Sequence, residues 1–253
     1  IYFANNIKAK YAIPFASNMC YLHKETKQYN NELSDAGMVL DHFNSLSNIE
    51  KGETKVVIMS PGSSWSSKSN FKKRYFNYND KKNYIEILER KNYKKLNKQY
   101  QLEDNEIADF NSFNLYFKDF LKTIPWIIKK LFKHNIVFCI TDVNKKNYWE
   151  LDFDKSKVRI ISDMDLDNKI VIKTNSLVLN NCTKIKMFST WTASKRLEIV
   201  LPSKGAIKTV ELFFYILDFY ELERLPFYKN FTLRSLENTL RRWREIIELI
   251  SFT

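Results

Sequence analysis

Three cysteines in 253 residues, Cys20, Cys139 and Cys182, are too few and too scattered for a disulfide framework or a CxxC metal site. They read as small buried hydrophobes of a reducing compartment. Membrane-length apolar runs are lacking too. The strongest, residues 213–220, is broken by Asp218 and falls far short of the roughly 20 residues a span requires. No secretory signal is read at the beginning. Only 4 glycines and 5 prolines are present while Asn and Lys abound, a balance that reads as a bias of the encoding genome and carries no chemistry. The three histidines, His23, His42 and His134, form no HxH or HxxxH pair, so the sequence supplies no metal-ligand cluster of its own. Ser63, Ser64, Ser66 and Ser67 have no His or Asp at a spacing that would activate a hydroxyl. Asp163, Asp165 and Asp167 alternate like the opening of an EF-hand loop. Asn168 stands where that loop needs glycine and Thr174 where it needs glutamate, so a solvated turn is expected.

What is present is core material: 44% of the residues are hydrophobic and 15% aromatic, enough for one large core or two small ones. The formal charge of +12 is unevenly placed, for residues 61–100 carry 11 Lys and Arg against 3 Asp and Glu. There Lys72, Lys73, Arg74, Lys81 and Lys82 interleave with Phe71, Tyr75, Phe76, Tyr78 and Tyr84. Basic groups neutralise phosphates and aromatic rings stack on bases, so this segment suits single-stranded nucleic acid. A lysine-rich surface linker with its rings docked on the core has the same composition.

The hydrophobic pattern predicts a short strand over 10–15 (KYAIPF) ended by Pro14, a helix over 33–46 capped by Ser34 or Asp35, and a strand over 55–59 (KVVIM) leaving through Pro61 and Gly62, with Trp65 packed over the turn. Residues 63–100 read as a basic linker, partly helical from Tyr84. Phe113, Tyr116, Phe117, Phe120 and Leu121, then Ile124, Ile127, Ile128 and Leu131, predict two helices or one kinked at Pro125. Runs at 136–140, 148–153, 157–161, 169–172 and 196–201 predict an antiparallel meander, with a short helix opening at Ser176. Residues 210–222 are densely apolar. A final amphipathic helix is expected from Leu233, Leu236, Leu240, Trp243, Ile246, Ile247 and Ile250.

The most specific stretch is residues 12–31, AIPFASNMCYLHKETKQYNN, followed by VVIMSPGSSW at 56–65. As an ordered pair these blocks resemble the end of the metallo-β-lactamase-fold domain in the CMP-N-acetylneuraminate hydroxylase group and its bacterial relatives. The resemblance covers about the first quarter of the chain. It implies a divalent-metal site, zinc or iron, at the edge of two sheets, with most ligands from an HxHxDH motif that this chain does not contain, and a metal-activated water. It places His23 at the site as ligand, acid–base group or substrate contact, and Glu25 and Asn30 as groups that contact substrate or orient His23. More distant members carry a ligand histidine where this chain has Pro14, Phe15, Ala16 and Ser17.

The expectation is therefore an α+β chain. Residues 1–62 would be the terminal piece of a metallo-β-lactamase-type α/β sheet, 63–100 the linker, and 101–253 an accessory domain with an antiparallel sheet and C-terminal helices. That domain looks like the one following the metallo-β-lactamase part in some bacterial members, and is loosely similar to sterol-carrier-like lipid-binding domains. Trp149, Trp191, Phe213, Phe214, Phe219 and Trp243 would line a ligand cavity or pack as ordinary core. The chain would be the carboxy-terminal part of a larger cytoplasmic protein. The intact protein would be a metal-dependent hydrolase or related oxidoreductase acting on a small anionic, possibly sugar-derived, substrate, with the missing half of the sheet as partner. The rival reading is a non-enzymatic protein that binds nucleic acid or lipid.

Overall fold

The computed structural model describes residues 9–14, 19–46, 53–77, 80–142 and 146–226, with Tyr228, Glu237, Leu240, Arg241 and Trp243. Phe15, Ala16 and Ser17 of the strand-end loop, Tyr78, and most of the final helix expected from Leu233 onward lie outside them. The chain divides into two compact units, residues 1–98 and 99–253.

In the first unit the expected strand, helix, strand order appears as β1 (Tyr11–Ala12), α1 (Ala36–Ser45) and β2 (Lys55–Val56). β1 and β2 pair in parallel, Tyr11 opposite Lys55 and Ala12 opposite Val56. A parallel pair requires a crossover, which α1 supplies. Asp35 is its N-cap, accepting a hydrogen bond from the Met38 amide at 3.0 Å, and Ala36 and Phe43 form the buried face. After β2 the chain turns at Pro61 and Gly62. Gly62 has φ +85°, and the Arg74 side chain lies so close over it that any Cβ would collide.

The expected linker holds more structure than its composition announces. β3 (Ser64–Ser66) and β4 (Asn70–Lys72) form an antiparallel hairpin, and α2 (Lys81–Asn105) is a helix of 25 residues beginning three residues before Tyr84. Trp65 is not packed as core: on the short strand β3 it is 51% exposed and its ring meets Phe71 at 6.0 Å.

The second unit is a helical layer on one face of a five-stranded sheet. α3 (Phe110–Thr123) starts at the Asp109 cap and stops before Pro125, because the residue preceding a proline is forced out of helical geometry. A single further turn, α4 (Trp126–Lys129), follows. The strands are β5 (Ile136–Thr141), β6 (Lys146–Asp152), β7 (Lys157–Ile161), β8 (Ile170–Thr174) and β9 (Glu198–Val200). α5 (Ser176–Ile185) and α6 (Ser189–Ser194) lie between β8 and β9, and α7 (Ile207–Glu221) follows β9.

The order β7-β6-β5-β8-β9 corrects the antiparallel expectation. β5, β6 and β7 do form an antiparallel meander, but β8 lies parallel to β5, with Ile136 opposite Ile170, so the sheet is mixed. The physical reason is burial. β8 is buried along most of its length and belongs beside the central strand. Strand-forming composition alone does not reveal the crossover through residues 162–169 that takes it there. Within that crossover Asp163–Asp165 form a single exposed turn whose Asp165 carboxylate accepts from the Ser162 amide and hydroxyl.

Side-chain alternation on β5 divides the interior. Ile136, Phe138 and Ile140 join Phe113, Phe117, Phe213 and Trp191 under the helices, while Val137 and Cys139 face the opposite side with Val171. Trp149, Trp191 and Phe213 belong to the packed core and Phe214 and Phe219 lie against it, while Trp243 is exposed.

The face away from the helices carries a buried carboxylate. Glu150, with no exposed surface, accepts from Arg159 Nε, Asn135 Nδ2 at 2.9 Å and Lys169 Nζ at 3.1 Å. Burial pushes its pKa up, but the Arg159, Asn135 and Lys169 hydrogen bonds outweigh burial, and the net shift is below the ordinary 4.5. A folded pKa below the unfolded one means that the unfolded chain binds more protons as pH falls. The contribution of Glu150 is therefore complete above the ordinary carboxylate range and lost as pH drops through the lowered folded value. Urea midpoints of wild type and Glu150→Gln are expected to differ at pH 7 and to converge toward pH 3; a constant difference refutes the assignment.

Among the described residues no helix is long and apolar enough to cross a membrane.

Candidate functional site

His23 lies in the loop that follows β1. Its carbonyl accepts from the Thr26 and Lys27 amides at 3.0 and 2.9 Å, closing a tight turn, and the Thr26 hydroxyl reaches the same oxygen at 3.3 Å. Thr26 is buried, so the turn is fixed from below. Asn30, in a single 3₁₀ turn (Lys27–Asn31), clips the loop shut: its Oδ1 accepts from the Tyr21 amide and its Nδ2 donates to the Tyr21 carbonyl, both at 2.7 Å. Its carboxamide therefore holds the loop in shape. Lys24 is exposed, and Lys27 pairs with Glu89.

The His23 ring is held inward, with 10% of its side chain exposed. Nδ1 accepts from the Glu25 amide at 3.4 Å, which fits a neutral ring protonated at Nε2. The Glu25 carboxylate, largely solvated, stands 3.7 Å from the same nitrogen and becomes the counter-ion when the ring gains a proton. His23, Glu25 and Asn30 lie in one loop, with Glu25 beside the His23 ring and the Asn30 carboxamide engaged by the Tyr21 backbone instead of the imidazole.

The other histidines do not join it in a ligand set. His42, on α1, lines an apolar cavity of about 400 Å³ with Ile13, Pro14, Val39 and Val56. His134 Nδ1 lies 3.0 Å from the Asn168 carbonyl. Among the described residues no group of three or more His, Cys, Asp and Glu is placed to hold a metal ion. The thiols offer no nucleophile either: burial raises the pKa of Cys20, Cys139 and Cys182, the last to about 11, so all three stay protonated near neutrality.

A second concavity, absent from the sequence reading, lies in the second unit. About 760 Å³ in volume, it is bordered by Glu106, Asp109, Asp119, Lys184, Lys186 and Tyr220. The Tyr220 hydroxyl donates to Asp119 Oδ2 at 2.7 Å and the Tyr116 hydroxyl to Glu221 Oε1 at 3.0 Å. Burial first, then these carboxylates and their neighbours, hold both phenols above the ordinary tyrosine range. Its lining comes from three helices and the segment before α3, with no local motif to announce it.

Neither the family models nor the curated proteins compared with this chain yield a match.

Proposed function

We propose that this chain is the carboxy-terminal part of a metallo-β-lactamase-fold, metal-dependent hydrolase or related oxidoreductase acting on a small anionic organic substrate. The observation that carries the reading is a histidine turned inward in the loop that leaves β1, the strand that pairs in parallel with β2. This is the element order in which the resemblance places a site histidine. The described residues do not by themselves fit a divalent ion, so its ligands would belong to sequence outside them. His23 exchanges a proton with substrate or pairs with its charge, Glu25 balances the imidazolium, and Asn30 keeps the loop closed.

Metal analysis of the full-length gene product is the test. Stoichiometric zinc or iron is expected, together with loss of turnover on chelation. His23→Ala is expected to reduce turnover by on the order of 10²–10⁴, the usual contribution of a positioned acid–base group. A metal-free full-length protein with undiminished activity would end the proposal.

A further inference from the structure

The hairpin β3–β4 carries a feature that the His23 loop does not use. Between Glu53 and Asp80 there is no acidic residue, while Lys55, Lys68, Lys72, Lys73 and Arg74 fall in that interval. Lys10, Lys55, Lys68, Lys72 and Lys73 are all exposed. In the same unit Lys27 pairs with Glu89 and Lys81 with Asp35. The lysines around the hairpin have no carboxylate partner among the described residues.

Set among these cations is a connected row of rings. Tyr11 meets Phe71 edge to face at 4.9 Å, and Phe71 meets Trp65 at 6.0 Å. Lys10 lies over the Tyr11 ring at 5.5 Å. Pairing across the hairpin sets Trp65 directly opposite Phe71, so the two rings share one face. The row begins half-buried at Tyr11 and ends in an indole that is 51% exposed. Tyr75, just past Lys72, Lys73 and Arg74, is 91% exposed. Trp65 and Tyr75 thus present large ring faces to water in a segment rich in exposed cations.

We infer that the Tyr11–Phe71–Trp65 row and the lysines around it form a binding surface for single-stranded nucleic acid. Bases stack on Trp65 and Tyr75, and the ammonium groups of Lys10, Lys55, Lys68, Lys72 and Lys73 neutralise the phosphates between them. An anionic membrane is the weaker match. The turn joining the two strands is Ser67, Lys68 and Ser69, which offers no apolar side chain to enter an acyl layer.

The test is fluorescence anisotropy of a labelled 20-nucleotide oligo(U) with the 253-residue chain at several salt concentrations between 50 and 200 mM, with heparin and phosphatidylserine vesicles as parallel probes. Binding is expected to weaken steeply with salt. Trp65→Ala is expected to weaken it roughly 5- to 150-fold, the loss of one stacked base. Tyr75→Ala, at a position too exposed to disturb folding, is expected to act in the same direction. The triple variant Lys68→Ala, Lys72→Ala, Lys73→Ala is expected to lower the slope of log affinity against log salt by roughly 2, the share of three phosphate contacts on a single strand. The inference falls if oligo(U) does not bind at 50 mM salt, or if both aromatic variants bind as wild type does. It falls equally if heparin binds as tightly with the same variant profile, which would mark a polyanion contact without stacking, or if vesicles bind and oligo(U) does not.

Discussion

Alanine at Phe138 is expected to cost the second unit about 3–5 kcal/mol of unfolding free energy, the range for removing a buried aromatic ring. Phe138 sits on the central strand β5 with no exposed surface. Its ring meets Phe113 at 5.0 Å and Phe117 at 5.2 Å, and lies nearly parallel to Trp191 at 5.8 Å. Phe188 and Phe213 complete the surround at 6.5 and 6.4 Å. These neighbours come from the strand's own helical cover, so the structure cannot close the void without moving several elements at once. The loss would be a large fraction of the roughly 5–15 kcal/mol by which a domain is ordinarily stable. Urea unfolding followed through the buried indoles of Trp149 and Trp191 reads it directly. Leu115→Ala on the exposed side of α3 serves as control and should stay within about 0.5 kcal/mol of wild type. A Phe138→Ala cost under about 1 kcal/mol would mean that the ring does not organise this core.

Glu103→Ala is expected to destabilise by a similar amount, about 3–5 kcal/mol, for a different reason. The Arg196 guanidinium makes a parallel fork with both Glu103 oxygens at 2.9 Å, and both side chains are largely buried. Asn175, which caps α5 by accepting from the Val178 amide, also donates to Glu103 at 3.4 Å. Removing the carboxylate leaves a guanidinium in a site that excludes most water. The penalty is that of an uncompensated charge, larger than the net worth of the pair itself. The double variant Glu103→Leu, Arg196→Met should therefore recover most of the stability that Glu103→Ala loses. Equal losses in the single and double variants would assign the effect to shape instead of charge.

Much of the second unit was legible from residue order. The run at 157–161 became β7 with the same limits, and the apolar run at 136–140 became β5, because strand-forming residues bounded by Asp, Asn and Lys leave few alternatives. Pro125 separated α3 from α4 as its missing amide requires. The position of β8 was not legible. Hydrophobic pattern reports how deeply a strand is buried and says nothing about which neighbour it chooses. The hairpin β3–β4 was hidden by composition, since Ser, Lys and Asn fill its strands and only Trp65 and Phe71 pair with the bulk usual in a strand. In the site, the nearness of His23 and Glu25 followed from adjacency. The engagement of Asn30 with Tyr21 required the fold of the loop, because the same carboxamide on a differently closed loop would point to solvent.

The parallel placement of β8 has a consequence for a chain made from one end. Thr141 finds Lys146 almost at once, whereas Ile136 waits for Ile170. At a synthesis rate of about 5–20 residues per second, the nascent β5 keeps one flank of amides and carbonyls open for on the order of seconds before its second neighbour has been translated. During that interval the half-made sheet is a template for any extended polypeptide nearby, and its shielding falls to whatever cellular factor meets it first.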